Sequence, residues 1–209
     1  MKGAILQSND VAGRGEVRDS ADVVIIGSGA AGATAARVLS GAGLDVIVVE
    51  EGPWVKTTER PLDAYTAFKR TWRDGGFRVA KGRAFMPILQ GSCVGGTTTI
   101  NGAILHRLPE RVFDGWVKDH GFGATHRYED LVSAWDTLDR ELSVGEVPEA
   151  VLGGNNRLFR DGLAASGVTG RRIHRNVKGC EGSARCNQGC PNGRKQSMEV
   201  SFIPTAVER

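Results

Sequence analysis

The chain has 209 residues, of which 40% are hydrophobic and 24% charged, and its formal net charge at pH 7 is +3. These values are ordinary for a globular protein of one or two domains, and the charge is too small to indicate nucleic-acid binding. No apolar run approaches the roughly 18–20 residues of a membrane-spanning helix. Because the first residues are also too polar for a secretory signal, we expect a cytoplasmic protein without a membrane span.

The first predicted elements are a strand, a glycine-rich turn, a helix and a second strand, which follow one another between Ala21 and Glu50. The β-branched runs at 23–26 and 46–49 predict strands that are buried on both faces of a parallel sheet. The alanine-rich stretch 30–41 predicts the helix between them. This order favours an α/β, Rossmann-like fold that binds a dinucleotide such as FAD or NAD(P).

The turn of this unit is a complete G-x-G-x-x-G pattern that is followed, after the second strand, by an acidic residue. The three glycines would permit a tight turn, close approach to a pyrophosphate and close helix–strand packing, and the helix N-terminus would offer free N–H groups. The acid would bind ribose hydroxyls, which disfavours NADP but leaves FAD and NAD equally open. The candidate cofactor-binding residues here are Gly27, Gly29, Ala30, Ala31, Gly32 and Glu50.

Further along the chain, the sequence predicts several helices, a few weak strands and no second βαβ unit. Helices are expected at 61–73, 109–118, 128–142 and 155–165, and strand-like stretches at 77–89 and 171–177. A doubly wound sheet needs several βαβ units. We therefore expect the fold to be incomplete at its C-terminus, with the later strands and the substrate domain beyond Arg209.

A second glycine-rich stretch, residues 91–102, carries two adjacent glycines followed by three threonines. Such a stretch can form a nest of backbone N–H groups with added hydroxyl donors, which suits a phosphate. It can equally be a plain turn that caps a short helix, because the same residue types dominate ordinary loops.

Together, residues 21–50 and this stretch resemble the glucose-methanol-choline (GMC) oxidoreductases, a family of FAD enzymes that oxidise alcohols. The family's E-x-G-P pattern after the second strand is matched from Glu50 to Pro53. Its G-G-[ST]-[ST]-x-x-N pattern is matched by Gly95, Gly96, Thr97, Thr98 and Asn101. The resemblance implies that FAD, rather than NAD, is the cofactor and that these residues lie along its pyrophosphate and flavin.

The resemblance also implies the activity and the domain layout. It implies that a small-molecule alcohol loses a hydride from its CH–OH group to the flavin, and it places the catalytic base beyond Arg209, so that no catalytic residue is assigned in the chain. Residues 1–20 would be an N-terminal arm and residues 21–209 the N-terminal part of an FAD-binding domain. Two alternatives remain open, namely a non-catalytic truncated product and a cofactor-binding fragment that needs a partner chain.

Three cysteines form the last candidate site, in a loop at 180–190. The residues Cys180, Cys186 and Cys190 are followed by a proline and could hold a [3Fe-4S] cluster. This spacing is similar to that in flavoprotein subunits of some bacterial sugar dehydrogenases of the family, which would pass electrons to an external acceptor. The neighbouring basic residues, among them Lys195, could offset an anionic cluster. A zinc site that includes His174, a local disulfide and free structural thiols are the other interpretations.

Overall fold

Residues 21–50 form the predicted strand–helix–strand unit in a computed structural model that describes residues 3–209. Strand β1 (Val23–Ile26) and strand β2 (Val46–Val49) flank helix α1 (Ala30–Gly41) at the predicted bounds. The two strands are parallel, with Val23 opposite Val46 and Ile26 opposite Val49. The predicted α/β, Rossmann-like topology is therefore confirmed at its first βαβ unit.

The expectation that both strands are buried on both faces is wrong. Alternate residues of β1 are exposed, with 58% of Val24 and 90% of Ile26 accessible, and Val49 of β2 is 53% exposed. The reason is that β1 and β2 form a two-stranded sheet and α1 covers the face on which Ile25 lies. No second layer of the described residues buries Val24 and Ile26, so one face of these apolar strands is accessible.

By its internal contacts the chain divides into two units, a boundary that the sequence analysis did not place. The first unit comprises residues 3–102 and Ser183–Arg209, and the second comprises Ala103–Gly182. The predicted arm at 1–20 begins outside the described residues. Its described part contains one short 3-10 turn, Ser8–Asp10, and its Gly3 N–H donates to the carbonyl of Val207. The arm is therefore fastened to the end of the same unit.

The rest of the first unit consists of short elements. Helix α2 (Ala64–Thr71) begins later than predicted because the Asp63 side chain accepts the N–H of Thr66 and caps the helix there. The strand-like stretch at 77–89 forms an antiparallel pair of two-residue strands. The remaining elements are β3 (Val79–Ala80), β4 (Met86–Pro87), the one-turn helix α3 (Thr97–Ile100) and helix α7 (Phe202–Val207).

Helix α7 packs against α1 and completes the core beneath the βαβ unit. Ala33 and Ala36 of α1 are fully buried, and Phe202 and Ile203 of α7 are buried as well. The small alanines let the two helices approach closely, and the guanidinium of Arg37 lies 4.9 Å from the centre of the Phe202 ring. This packing fixes α1, and with it the turn that precedes α1.

The second unit is mainly helical. Its core contains the ring of Phe113, which lies 5.5 Å from Tyr128 and 5.8 Å from Phe122 between ring centres. The predicted strand at 171–177 shortens to three residues and pairs with a strand that was not predicted. The elements are α4 (Glu110–His120), α5 (Tyr128–Glu141), β5 (Val144–Glu146), α6 (Gly154–Ala165) and β6 (His174–Asn176). Within residues 3–209, every helix is too short or too polar to span a lipid bilayer.

Candidate functional site

The glycine turn, residues 27–32, connects β1 to α1 and carries the first group of candidate residues. Gly27 adopts φ 90°, in the left-handed region that favours glycine, while its N–H donates to the carbonyl of Val49 at 2.7 Å. Gly29 precedes α1 in extended conformation. Because the first N–H groups of a helix have no intrahelical acceptor, those of Ala30 and Ala31 remain available at the positive end of the helix dipole.

The glycines of the turn differ in what surrounds them. A Cβ atom on Gly32 would lie 2.0 Å from the carbonyl oxygen of Gly27 and 3.2 Å from Cγ2 of Ile25. A Cβ atom on Gly27 or Gly29 would meet no atom of the described residues within 4 Å. Gly32 therefore lets α1 lie against β1, while Gly27 and Gly29 border open space.

Glu50, at the end of β2, accepts three hydrogen bonds from neighbouring turns. Its Oε2 atom accepts from the Ser28 N–H at 2.9 Å and from the Ser28 hydroxyl at 2.6 Å, and its Oε1 atom accepts from the Gly52 N–H at 3.0 Å. The buried Ser28 hydroxyl also accepts the N–H of Gly95 at 3.0 Å. Ser28, which lies between Gly27 and Gly29, thus joins Glu50 to the second glycine stretch.

Within that second stretch lies the threonine segment, residues 95–101, which includes α3. Gly95 and Gly96 adopt φ 86° and 54°, and a Cβ atom on Gly96 would lie 3.0 Å from the Cα atom of Gly29. The hydroxyl of Thr97 accepts the N–H of Gly91 at 3.1 Å. The two glycine motifs, 66 residues apart between Gly29 and Gly95 in the sequence, are therefore adjacent in the first unit.

A cavity of about 440 Å³ lies where these segments meet at the carboxyl ends of β1 and β2. This edge of a parallel sheet is where ligands bind in open α/β folds. Five of the predicted residues line it, namely Gly27, Gly29, Glu50, Gly96 and Thr97. The predicted residues that are not in its lining are Ala30, Ala31, Gly32, Gly95, Thr98 and Asn101.

Sequence reasoning missed three polar side chains in the cavity wall, those of Glu51, Arg73 and Gln90. The guanidinium of Arg73 forms an ion pair with Glu51, and the backbone N–H of Arg73 donates to the carbonyl of Gln90 at 2.8 Å. Glu51 could have been found because it directly follows the predicted ribose-binding acid. Nothing in the local pattern distinguishes Arg73 or Gln90 from ordinary loop residues.

Beneath the threonine segment lies the C-terminal strip, residues 195–199, which contains two buried charges. The carboxylate of Glu199 pairs with Arg60 at 2.5 Å, and its second oxygen accepts the Thr99 hydroxyl at 2.7 Å. The side chains of Arg60 and Glu199 are only 2% and 3% exposed. Burial lowers the pKa of Lys195 to about 8, an effect that Glu199 partly offsets.

Cys93 lies at the start of this buried region. Its side chain is among the most buried in the described residues, and burial, reinforced by the negative charge of Glu199, raises the pKa of its thiol to about 12. A thiol with this pKa is protonated at neutral pH and is a poor nucleophile. Cys93 therefore acts as a packing residue at the base of the second glycine stretch.

The three cysteines of the predicted cluster are divided between the two units of the chain. Among residues 3–209, no group of three or more His, Cys, Asp or Glu side chains is placed to hold a metal ion. None of the four cysteines takes part in a disulfide within the described residues. Cys180 belongs to the second unit, while Cys186 and Cys190 belong to the first. The iron–sulfur cluster stays a prediction from the cysteine spacing.

The four histidines, His106, His120, His126 and His174, are exposed and belong to the second unit. None of them lines the cavity. His126 stacks on Phe122 with 4.4 Å between ring centres, which gives it a packing role. The described residues thus supply a ligand cavity without a histidine base.

The family model and the relatives that this chain resembles point to the same protein family. Residues 21–209 match the family model described as GMC oxidoreductase. The uncharacterized GMC-type oxidoreductase y4nJ of Sinorhizobium fredii is 38% identical over 93% of this chain and 38% of its own length. The long-chain-alcohol oxidase FAO3 of Arabidopsis thaliana is 28% identical over 91% of this chain and 25% of its own length. The chain thus spans well under half of these relatives.

Solved structures give a weaker match. A fungal aryl-alcohol oxidase aligns with a TM-score of 0.39 and 21% identity, over 74% of this chain and 27% of that one.

Proposed function

The chain belongs to the GMC oxidoreductase family, and we propose that its first unit binds FAD by the adenosine and pyrophosphate half, as part of an enzyme that oxidises alcohols. One observation carries this proposal. The glycine turn, the acid that ends β2 and the threonine segment, which are predicted separately from the sequence, border a single cavity. The family match supports the identity of the cofactor, and the cavity supports its position.

The residues around the cavity fit a dinucleotide in both space and chemistry. The volume of about 440 Å³ lies within the range of small-molecule sites, roughly 300–1,000 Å³. Gly27 and Gly29 border open space that a side chain would otherwise fill. Helix α1 begins directly after Gly29, beside the cavity, and its N-terminus favours a negatively charged group. A pyrophosphate next to these glycines would therefore meet free N–H groups.

Each residue has a definite part in this proposal. The backbone N–H groups of residues 29–31, at the start of α1, would bind the pyrophosphate, and Gly96 and Thr97 would border it from the opposite side. Glu50 would accept a ribose hydroxyl. An ionised carboxylate has about four acceptor positions, and the neighbouring turns use three in Glu50. One position is therefore left for the ribose, and the other three hydrogen bonds hold the carboxylate in place for it.

The family supports a proposal for the chemistry as well. Bound FAD would supply an acceptor for the hydride of a CH–OH group. The long-chain-alcohol oxidase of Arabidopsis thaliana supports an alcohol as the substrate class. We assign no catalytic base within residues 3–209, because the exposed histidines do not line the cavity. The role proposed for this chain is therefore to bind and orient the cofactor.

Titration with FAD tests the proposal. The purified chain should quench the fluorescence of added FAD to a one-to-one end point, and the bound flavin should keep its two visible absorption bands. The variant Gly29→Val, which places a branched side chain in the open space beside α1, should bind at least about tenfold more weakly. The variant Gly115→Val, which alters a glycine of α4 with equally open surroundings, is the matched control. If the wild-type chain binds no FAD, the proposal is wrong.

A further inference from the structure

We propose that Lys195 is a positioning residue of the FAD site, whose buried ammonium holds the threonine segment in its cofactor-binding shape through two hydrogen bonds and joins it to a neighbouring turn through a third. The ammonium of Lys195 donates to the carbonyl of Thr99 at 2.6 Å, to that of Asn101 at 3.0 Å and to that of Cys186 at 2.9 Å. The residue is only 1% exposed. None of these three acceptor residues lines the cavity, so the effect of Lys195 on the cofactor is indirect. This inference rests on the proposed FAD site.

The three acceptors match the chemistry of a lysine. An ammonium group has three N–H donors and no acceptor, and all three donors of Lys195 are used. The carbonyls of Thr99 and Asn101 lie at the C-terminal end of α3 and directly after it, where helix carbonyls lack intrahelical partners and favour a positive charge. A side chain without donors at this position would remove the hydrogen bond that the buried Thr99 carbonyl accepts, which is costly. Arginine, whose planar fork is larger, could not place three donors at one point.

The rest of the C-terminal strip fastens the same segment. The N–H of Met198 donates to the Thr98 hydroxyl at 3.0 Å, and the Thr99 hydroxyl donates to Glu199 at 2.7 Å. Counting the two bonds from Lys195, four hydrogen bonds join residues 195–199 to residues 98–101. The threonine segment is thus supported from beneath along most of its length, and Lys195 holds its C-terminal end.

The third bond of Lys195 extends this support to the 3-10 turn Cys186–Gln188. The same turn is held by Trp72, whose Nε1–H donates to the carbonyl of Asn187 at 3.0 Å. Lys195 therefore joins α3 to a turn that is itself anchored to α2's end. A side chain in this position determines where Asn101 lies relative to Gly96 and Thr97.

The variant Lys195→Met tests the inference, because methionine keeps the length and apolar stem of lysine but removes its donors. We expect FAD affinity to fall by about tenfold or more. At saturating FAD, the visible circular dichroism of the flavin should also change, because the residues beside it have moved. The matched control is Lys69→Met, which changes an exposed lysine of α2 and should leave both readouts as in the wild type.

The two readouts separate positioning from stability alone. If Lys195→Met lowers only the melting temperature, and FAD affinity and flavin dichroism measured well below that temperature equal those of the wild type, the inference is wrong. If wild-type protein binds no FAD, the proposed function fails and the inference fails with it.

A measurement on the wild-type protein covers the case in which Lys195→Met does not fold. The side-chain ¹⁵N resonance of Lys195 should shift when FAD is added, because Lys195 binds two carbonyls of the segment that FAD would contact. The resonance of the exposed Lys69 should not shift. An unchanged Lys195 resonance in protein saturated with FAD would overturn the inference.

Discussion

The glycine turn and the threonine segment border the same cavity, but they are held in place by different parts of the chain. The glycine turn is fixed by its immediate neighbours, since β1 precedes it, α1 follows it and Gly32 lets the two pack together. The threonine segment is fixed by residues that are about 100 positions later in the sequence, namely Lys195, Met198 and Glu199. The first half of the site is therefore a local structure, and the second half depends on the tertiary fold.

The largest effect is expected from a substitution that removes part of the support beneath the threonine segment. Glu199→Met would leave the charge of Arg60 buried without its partner, and such a loss typically costs about 3–5 kcal/mol in the free energy of unfolding. The double variant with Arg60→Met removes both charges and should recover much of that loss. Denaturant unfolding gives the free energy of unfolding of the wild type, the single variant and the double variant. Glu208→Met, which changes an exposed glutamate, is the control. A loss below about 1 kcal/mol in the single variant would contradict the role given to this pair.

The second largest effect distinguishes two glycines of the glycine turn by their contribution to stability. Gly32→Ala places a Cβ atom 2.0 Å from the carbonyl of Gly27, so α1 must move away from β1, and we expect a loss of about 1–3 kcal/mol. Gly29→Ala adds its Cβ atom in open space at a negative φ, so its free energy of unfolding should stay within about 0.5 kcal/mol of the wild type.

Thermal or denaturant unfolding of the two alanine variants provides the comparison. Equal destabilisation by Gly29→Ala and Gly32→Ala would mean that packing does not distinguish the two glycines, and the local account of the turn would fail.

The smallest effect is a difference in alkylation rate among the four thiols, and its measurement requires no mutation. With its pKa raised to about 12, Cys93 is ionised to only about one part in ten thousand at pH 8, and it is also buried. Cys180, Cys186 and Cys190 are half-buried. A thiol-alkylating reagent at pH 8 should therefore label these three first, and Cys93 only after denaturation. Mass spectrometry of the labelled peptides gives the order, and early labelling of Cys93 would contradict its buried position.

The same contrast explains how far the sequence could predict the site. The bounds of β1, α1 and β2 agree with the prediction because strand and helix formers, and the glycines that end them, act within a few residues. The support beneath the threonine segment was missed because Arg60 and Glu199 are 139 residues apart. The sequence places Lys195 among several basic residues around the cysteines, and a single lysine in a polar stretch carries no sign of burial.

The sequence also fails to predict strand β5 and the exposed face of the first sheet, and the reasons are again physical. β5 is three residues long and includes a glycine, so its hydrophobic pattern is too short to detect. The β-branched runs of β1 and β2 predict a sheet that is covered on both sides, whereas α1 covers one face. An apolar pattern shows that a strand suits a buried environment, but it does not identify the segment that covers each face.

Competition between cofactor fragments tests most directly the claim that the cavity holds the adenosine and pyrophosphate half of FAD. FAD bound to the wild-type chain should be displaced by ADP, which carries both of these groups, at concentrations far below those needed of FMN, which lacks the adenosine. Fluorescence of the released flavin measures the displacement, with Gly29→Val as the control for binding at this cavity. The account predicts that ADP is the stronger competitor by at least about tenfold. Equal competition by ADP and FMN, or displacement by FMN alone, would contradict it.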